Sequence, residues 1–204
     1  MPAARRRGVP AHSALQFRIV LLETSPVVWR RILVPAAYTF WDLHVAIQDA
    51  MGWTDSHLHA FEVRGPGRRR TAIGIPVEEG EEAVVPGWKR ELTTQFGEPG
   101  DQLIYEYDFG DAWRHSVLLE RIAALEPGQR LPACLDGARR CPPEDVGGPP
   151  GFAEFLRIIA DPAHEEHQEM LEWCGGSFDP ADFDCWCVRF HDPKARLRAM
   201  LRGS

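Results

Sequence analysis

Lysine is almost missing: Lys89 and Lys194 are the only two in 204 residues. This matters because the chain contains Asp108-Phe109-Gly110, the triplet that holds magnesium in protein kinases. Kinase chemistry needs a strand lysine, a Gly-rich loop over the phosphates and an H-R-D catalytic loop before that triplet. None is present, so phosphoryl transfer of that kind is excluded. There is no G-x-S-x-G elbow, no P-loop and no G-x-G-x-x-G, which leaves serine-hydrolase, nucleotide-hydrolysis and dinucleotide readings without a motif. No apolar run reaches about 18 residues, so no membrane-spanning helix is expected. Cysteine is sparse and odd in number, at five. With no export signal visible, this predicts a reducing, cytoplasmic setting with free or metal-bound thiols.

What is there describes an ordinary globular chain: 44% hydrophobic, 26% charged and a net charge of −7. The negative balance argues against direct non-specific binding to nucleic acid phosphates. Residues 1–13, with Arg5 to Arg7, are read as a disordered basic tail rather than a signal peptide. Arg68 to Arg70 are read as a solvated loop.

Periodicity supplies a coarse order of elements. Leu15 to Leu22 and Val28 to Val34 read as a hairpin closed by Pro35. Thr39 caps a helix over FWDLHVAIQDAM, with Asp42 completing a capping-box arrangement and Gly52 as the stop. His57 to Val63 and Thr71 to Ile75 read as strands, and a short helix is expected around Trp88 to Phe96. Gln102 to Tyr107 and Trp113 to Glu120 form a second hairpin across DFGDA. Residues 126–150 are too rich in Pro and Gly for long regular structure. A helix on Phe152, Phe155, Leu156 and Ile159 follows. A second starts at Asp161-Pro162, with Ala163, His167, Met170, Leu171 and Cys174 as its buried stripe. A basic helix closes the chain. The expected fold class is α+β: a β-grasp-like twisted sheet packed on one main helix, with extra C-terminal helices. Residues 14–190 make one domain, with a core at 14–125 and a Pro/Gly-rich loop and helices at 126–190; residues 191–204 are a tail or helix.

Several clusters carry polar chemistry. His57 and His59, two apart on a predicted strand, share a face and are candidate metal ligands. Asp108, Asp111 and His115 surround the second hairpin's turn and suit acid–base or metal work. The same alternation makes His115 a candidate core histidine with a carboxylate partner. Glu144 and Asp145 sit side by side in a stiff loop, suited either to ligation or to bonding their own turn. Cys134 and Cys141 are spaced wider than a zinc knuckle. With Cys174, Cys185 or Cys187 they are candidates for a zinc clip, against a reading as buried thiols. HEEH at His164 to His167 has its histidines three apart, not the four of a zincin helix, and is read as packing. Asp179, Asp182 and Asp184 lack the glycine and distal glutamate of a calcium loop and read as a solvated turn.

Taken in order, VVWRRILVP, TFWDLHVAIQDAMGW, SHLHAFEV, YEYDFGDAWRHSVLLE, the stretch from CLDGARRC to LEWCGG, and FDPADFD resemble the plasmid pRiA4b ORF-3-like family. The resemblance spans Leu15 to Asp184. It implies a stand-alone α+β module of the kind met on plasmids and mobile elements, and it implies no general activity. The family pattern is left after FDPADFD, where this chain has Cys185, Trp186, Cys187 and Arg189.

Two functions are compatible with these residues. One is a binding or regulatory module that presents Trp29, Trp41, Trp53 and Trp113 to a protein or small-ligand partner. The other is an enzyme dependent on a divalent metal such as zinc, with Asp108, Asp111, His115, Glu144 and Asp145 around a cleft and water as nucleophile. The second requires at least three of these side chains within coordination reach; the first allows them to be scattered.

Overall fold

The computed structural model describes residues 9–10, 12–64, 70–76, 84–126 and 128–203. The basic residues Arg5 to Arg7, most of the arginine loop and part of the acidic stretch before Val84 lie outside the described residues. Val9 packs against the core, and the first strand, β1, already begins at Ser13 (Ser13–Leu21).

β2 (Trp29–Pro35) returns antiparallel to β1, with Phe17 opposite Ile32. α1 (Phe40–Met51) follows, and its start is as the sequence predicts. The Thr39 side chain accepts from Asp42 N–H while the Asp42 carboxylate accepts from Thr39 N–H. Gly52 ends it at φ 89, a left-handed position where a Cβ would be strained. Then come β3 (His59–Arg64), β4 (Arg70–Gly74), β5 (Val85–Pro86), β6 (Gln102–Tyr107), β7 (Trp113–Ala124) and β8 (Ala133–Ala138). One eight-stranded sheet results, in the order β5-β4-β3-β6-β7-β1-β2-β8, antiparallel except for the short β4–β5 pair. α1 packs against β2 and β4. Phe40 and Ile47 of α1 join Phe17, Ile19, Phe61 and Tyr105 of the sheet in the core.

Four expectations are corrected. β3 begins at His59, because Asp55 adopts φ 62 and the chain bends at His57. The helix expected near Trp88 is two single 3-10 turns, Gly87–Lys89 and Leu92–Thr94. The Pro/Gly-rich stretch contains β8, an edge strand that needs one neighbour only and pairs with β2. Asp161 begins a turn, with its carboxylate accepting from Ala163 N–H, and the helix α3 starts only at His167 (His167–Trp173). Its intended stripe is half-buried at His167, Met170, Leu171 and Cys174, and Ala163 is exposed.

α2 (Gly148–Ala160) buries Phe152, Phe155 and Ile158. The basic C-terminal helix α4 (Pro193–Gly203) lies on α1. There Trp41 Nε1–H donates to Pro193 O, and Arg196 pairs with Asp49 at 3.2 Å.

Candidate metal centre

Three loops converge beyond the strand ends, and each is held by its own backbone chemistry. The first runs from Gly52 to Leu58. It is anchored by Trp53 Nε1–H donating to Pro142 O at 3.0 Å and by Ser56 N–H donating to Tyr107 Oη at 3.0 Å. The second is the β6–β7 turn. Asp108 and Ala112 both sit at φ 54, and Asp108 Oδ1 accepts from Gly110 N–H at 3.0 Å. Asp108 N–H in turn donates to Leu58 O at 2.9 Å, which binds the first loop to the second. The third is the loop before α2, with Asp145 at φ 60 and Gly147 at φ 91. Gly147 N–H donates to Asp111 Oδ2 at 3.1 Å. A Cβ on Gly148 would stand 2.4 Å from Asp111 O, so only glycine allows this approach. Of the described non-glycine residues at positive φ, Asp55, Asp108, Ala112 and Asp145 all belong to these loops. Strain of this kind concentrates where a site is held in place by its surroundings.

The convergence puts three donors together. His57 Nε2 lies 3.2 Å from Asp145 Oδ1 and 3.7 Å from Asp108 Oδ2. Yet Nε2 is closed off from solvent and makes no hydrogen bond with either carboxylate or any other described group. Two carboxylates therefore flank the nitrogen without standing along its N–H direction. The spacing suits a shared cation: ligands about 2.1 Å from a tetrahedral metal are about 3.4 Å apart. All three donor atoms lie within 4.8 Å of one another. His57 is half-buried and Asp145 exposed, so the group opens to solvent. Beside it, Tyr107 O–H donates to Glu144 at 2.5 Å, and the Thr54 hydroxyl also donates to Glu144. Burial and the Glu144 charge hold the Tyr107 hydroxyl protonated, well above its ordinary range.

A second group lies inside the fold. Gln48 Nε2–H donates to Tyr105 Oη at 3.0 Å; Tyr105 Oη is 2.8 Å from His44 Nδ1; His44 Nε2 is 2.7 Å from Asp55 Oδ1. This chain is self-consistent with a neutral His44 whose Nε2 carries the proton. Burial lowers the pKa of His44 and of His59 and pushes Asp55 up to about 6. His59 stacks on His44 with centroids 3.4 Å apart and planes 8° apart, and neither of its ring nitrogens has a partner among the described residues. The 2.7 Å contact between His44 and Asp55 is a hydrogen bond already made, whereas both ring nitrogens of His59 are left over in the inner group and Nε2 of His57 in the outer one.

The sequence has relatives. The plasmid pRiA4b ORF-3-like protein family matches residues 13–186. The chain belongs to this family. It is 40% identical over 179 residues to the uncharacterized protein y4hQ of Sinorhizobium fredii, covering 87% of each chain. A crystal structure of a protein of unknown function, MM3350 from Methanosarcina mazei Go1, superposes with a TM-score of 0.79 at 39% identity. That match covers 87% of this chain and 98% of the other.

In this pRiA4b ORF-3-like chain the sequence-predicted residues sort unevenly. Asp108 and Asp145 flank His57, Glu144 braces Tyr107 and Thr54, and Asp111 ties two of the loops. His57 and His59 part company: the bend at His57 sends one to the outer group and the other to the inner. His115 is fully buried. It stands edge-on to Trp53, with Nδ1 3.4 Å from Tyr105 O and no carboxylate partner among the described residues. Cys134 lies in β8 and Cys141 is buried nearby. Burial pushes their thiols up to about 11 and about 12, and neither joins a three-donor group among the described residues. Trp41, Trp53 and Trp113 are buried in or against the core, so they present no surface to a partner. Trp29 is half-buried, with Arg18 and Arg31 over its ring. His164 and His167 engage backbone groups next to α3, as packing predicts. Sequence reasoning missed His44, Asp55, Tyr105 and Tyr107. The signal for His44 was its i,i+4 spacing with Gln48 on a helix otherwise apolar nearly all round.

Proposed function

We propose that this protein is a metal-dependent enzyme whose cation is held by His57, Asp108 and Asp145. The observation that carries the reading is His57 Nε2, closed off from solvent and unbonded between two carboxylate oxygens at 3.2 and 3.7 Å. One imidazole and two carboxylates suit zinc, manganese or iron(II). A divalent cation held by three protein ligands keeps a position open, where it lowers the pKa of water and polarises a substrate oxygen. The chain's own residues supply the positioning. Asp111 and Gly148 clamp the Asp145 loop to the Asp108 turn, and Tyr107, Thr54 and Glu144 fix the His57 segment. The substrate class is polar, with hydrolysis as the reaction type. The β-grasp-like description of residues 14–125 and a cytoplasmic setting, supported by five free thiols, are part of the same reading.

A panel of chromogenic phosphate and carboxylate esters, assayed on chelator-stripped protein with zinc, manganese or iron(II) restored singly, tests the activity. Turnover that returns with one metal and is absent in Asp145→Asn supports it. Turnover indifferent to metal removal contradicts it. A binding or regulatory role in a mobile-element setting is the second reading. The observation favouring it is Trp186, 83% exposed on the surface.

A further inference from the structure

Arg30 is the most deeply buried cation among the described residues, at 1% exposure. Its guanidinium is held on several sides. Nε–H donates to Ala50 O at 2.8 Å, and Nη1–H donates to Trp29 O at 2.8 Å and Ala138 O at 3.0 Å. The Phe183 ring lies 3.7 Å from its carbon. No carboxylate among the described residues stands within ion-pair distance, and burial draws its pKa below the ordinary value. The hydrogen bonds to described residues come from Nε and Nη1, and none from Nη2. Arg30 lines a cavity of about 420 Å³ between the end of α1 and the segment from Asp182 to His191. The arginine is thus fixed by carbonyls and an aromatic face, with one donor edge left toward a cavity.

The rest of the lining carries both signs, with two further arginines and the carboxylates of Asp49, Asp182 and Asp184. Arg140 and Arg189 also face the cavity; the Arg140 guanidinium lies over the Phe178 ring, and that of Arg189 donates to the carbonyls of Trp186 and Val188. Asp49 is taken by His191 and Arg196, and the Asp184 carboxylate caps Trp186 N–H. Asp182 stands exposed at the rim. A planar guanidinium fixed in place recognises a two-oxygen anion in a way a lysine does not. We propose that this cavity is a binding site for a small-molecule oxyanion, a phosphate or a carboxylate, received by Arg30 with Arg140 and Arg189 at the mouth. This site is separate from the His57 group and does not depend on a cation being held there.

The test uses the full chain, titrated with inorganic phosphate and separately with succinate at constant ionic strength in chloride. Melting temperature and calorimetry are the readouts. Saturable binding of one anion above the chloride control is expected, and which anion wins identifies the source. Arg140→Gln with Arg189→Gln weakens Kd at least tenfold, and Arg30→Lys abolishes binding. Chelator-treated protein and Asp108→Asn bind as wild type, so a failure of the metal reading leaves this result intact. Neither anion binding above chloride, or unchanged Kd in the double rim variant, overturns the proposal. If Arg30→Lys does not fold, the rim variant alone decides.

Discussion

At the scale of single residues, burial sets the chemistry of most of the polar groups in the core. His115 is fully buried, and burial lowers its pKa to about 4 against the opposing backbone contacts to Tyr105 and Trp113. The sign follows from linkage. The unfolded chain binds a proton near pH 6.5 and the folded chain only near pH 4, so stability is lost as pH falls through that window. From pH 7 to pH 4.5 this one residue removes roughly 2–3 kcal/mol. Urea unfolding at the two pH values should therefore show a smaller acid penalty in His115→Leu than in wild type. An equal penalty in the two would mean that His115 is protonated in the fold. Tyr107→Phe removes one hydroxyl that accepts from Ser56 and donates to Glu144. It should cost about 1–3 kcal/mol and weaken cation binding, read by denaturation and by metal titration.

At the scale of elements, the loops do more than the strands. Gly148→Ala introduces a Cβ at φ 68, within 2.4 Å of Asp111 O. It should destabilise by about 2 kcal/mol or more and lower cation affinity by pulling Asp145 from His57. A folded variant with unchanged affinity would show that the Asp111 contact does not position Asp145. Elements with local chemistry were legible in the sequence. α1 runs from its Thr39–Asp42 capping box to its glycine stop as expected, and the β6–β7 hairpin is where DFGDA places it. β8 was hidden because an edge strand with one partner tolerates the Pro- and Gly-rich texture that argues against a central strand. The His57/His59 pair was misassigned for a backbone reason. Alternation assumes extended φ, and Asp55 leaves it two residues before His57.

At the scale of the molecule, convergence is what periodicity does not encode. Asp108, Glu144 and Asp145 were visible as isolated candidates. Only the folding of the 140–148 loop over the β6–β7 turn brings two of them to His57. The C-terminal helix belongs to the same whole. Arg196 lies between Asp49 and Asp55 at 3.2 and 3.6 Å, and it joins α4 to the inner histidine group. The Asp49 side chain is 2% exposed. Arg196→Ala leaves His191 as its remaining partner and should lower stability by about 1–3 kcal/mol. Thermal unfolding checks this, and a midpoint within error of wild type would make α4 a dispensable appendage. No helix among the described residues is long and apolar enough to cross a membrane.

The most direct test of the account is metal content by elemental mass spectrometry, on protein purified without chelator or nickel resin. The wild-type chain is compared with Asp108→Asn and Asp145→Asn. The His57 group predicts near-stoichiometric zinc, manganese or iron in the wild type, lost in both variants while their melting temperatures stay within a few degrees. A well-folded wild type without metal, both as purified and after incubation with each ion, would contradict it.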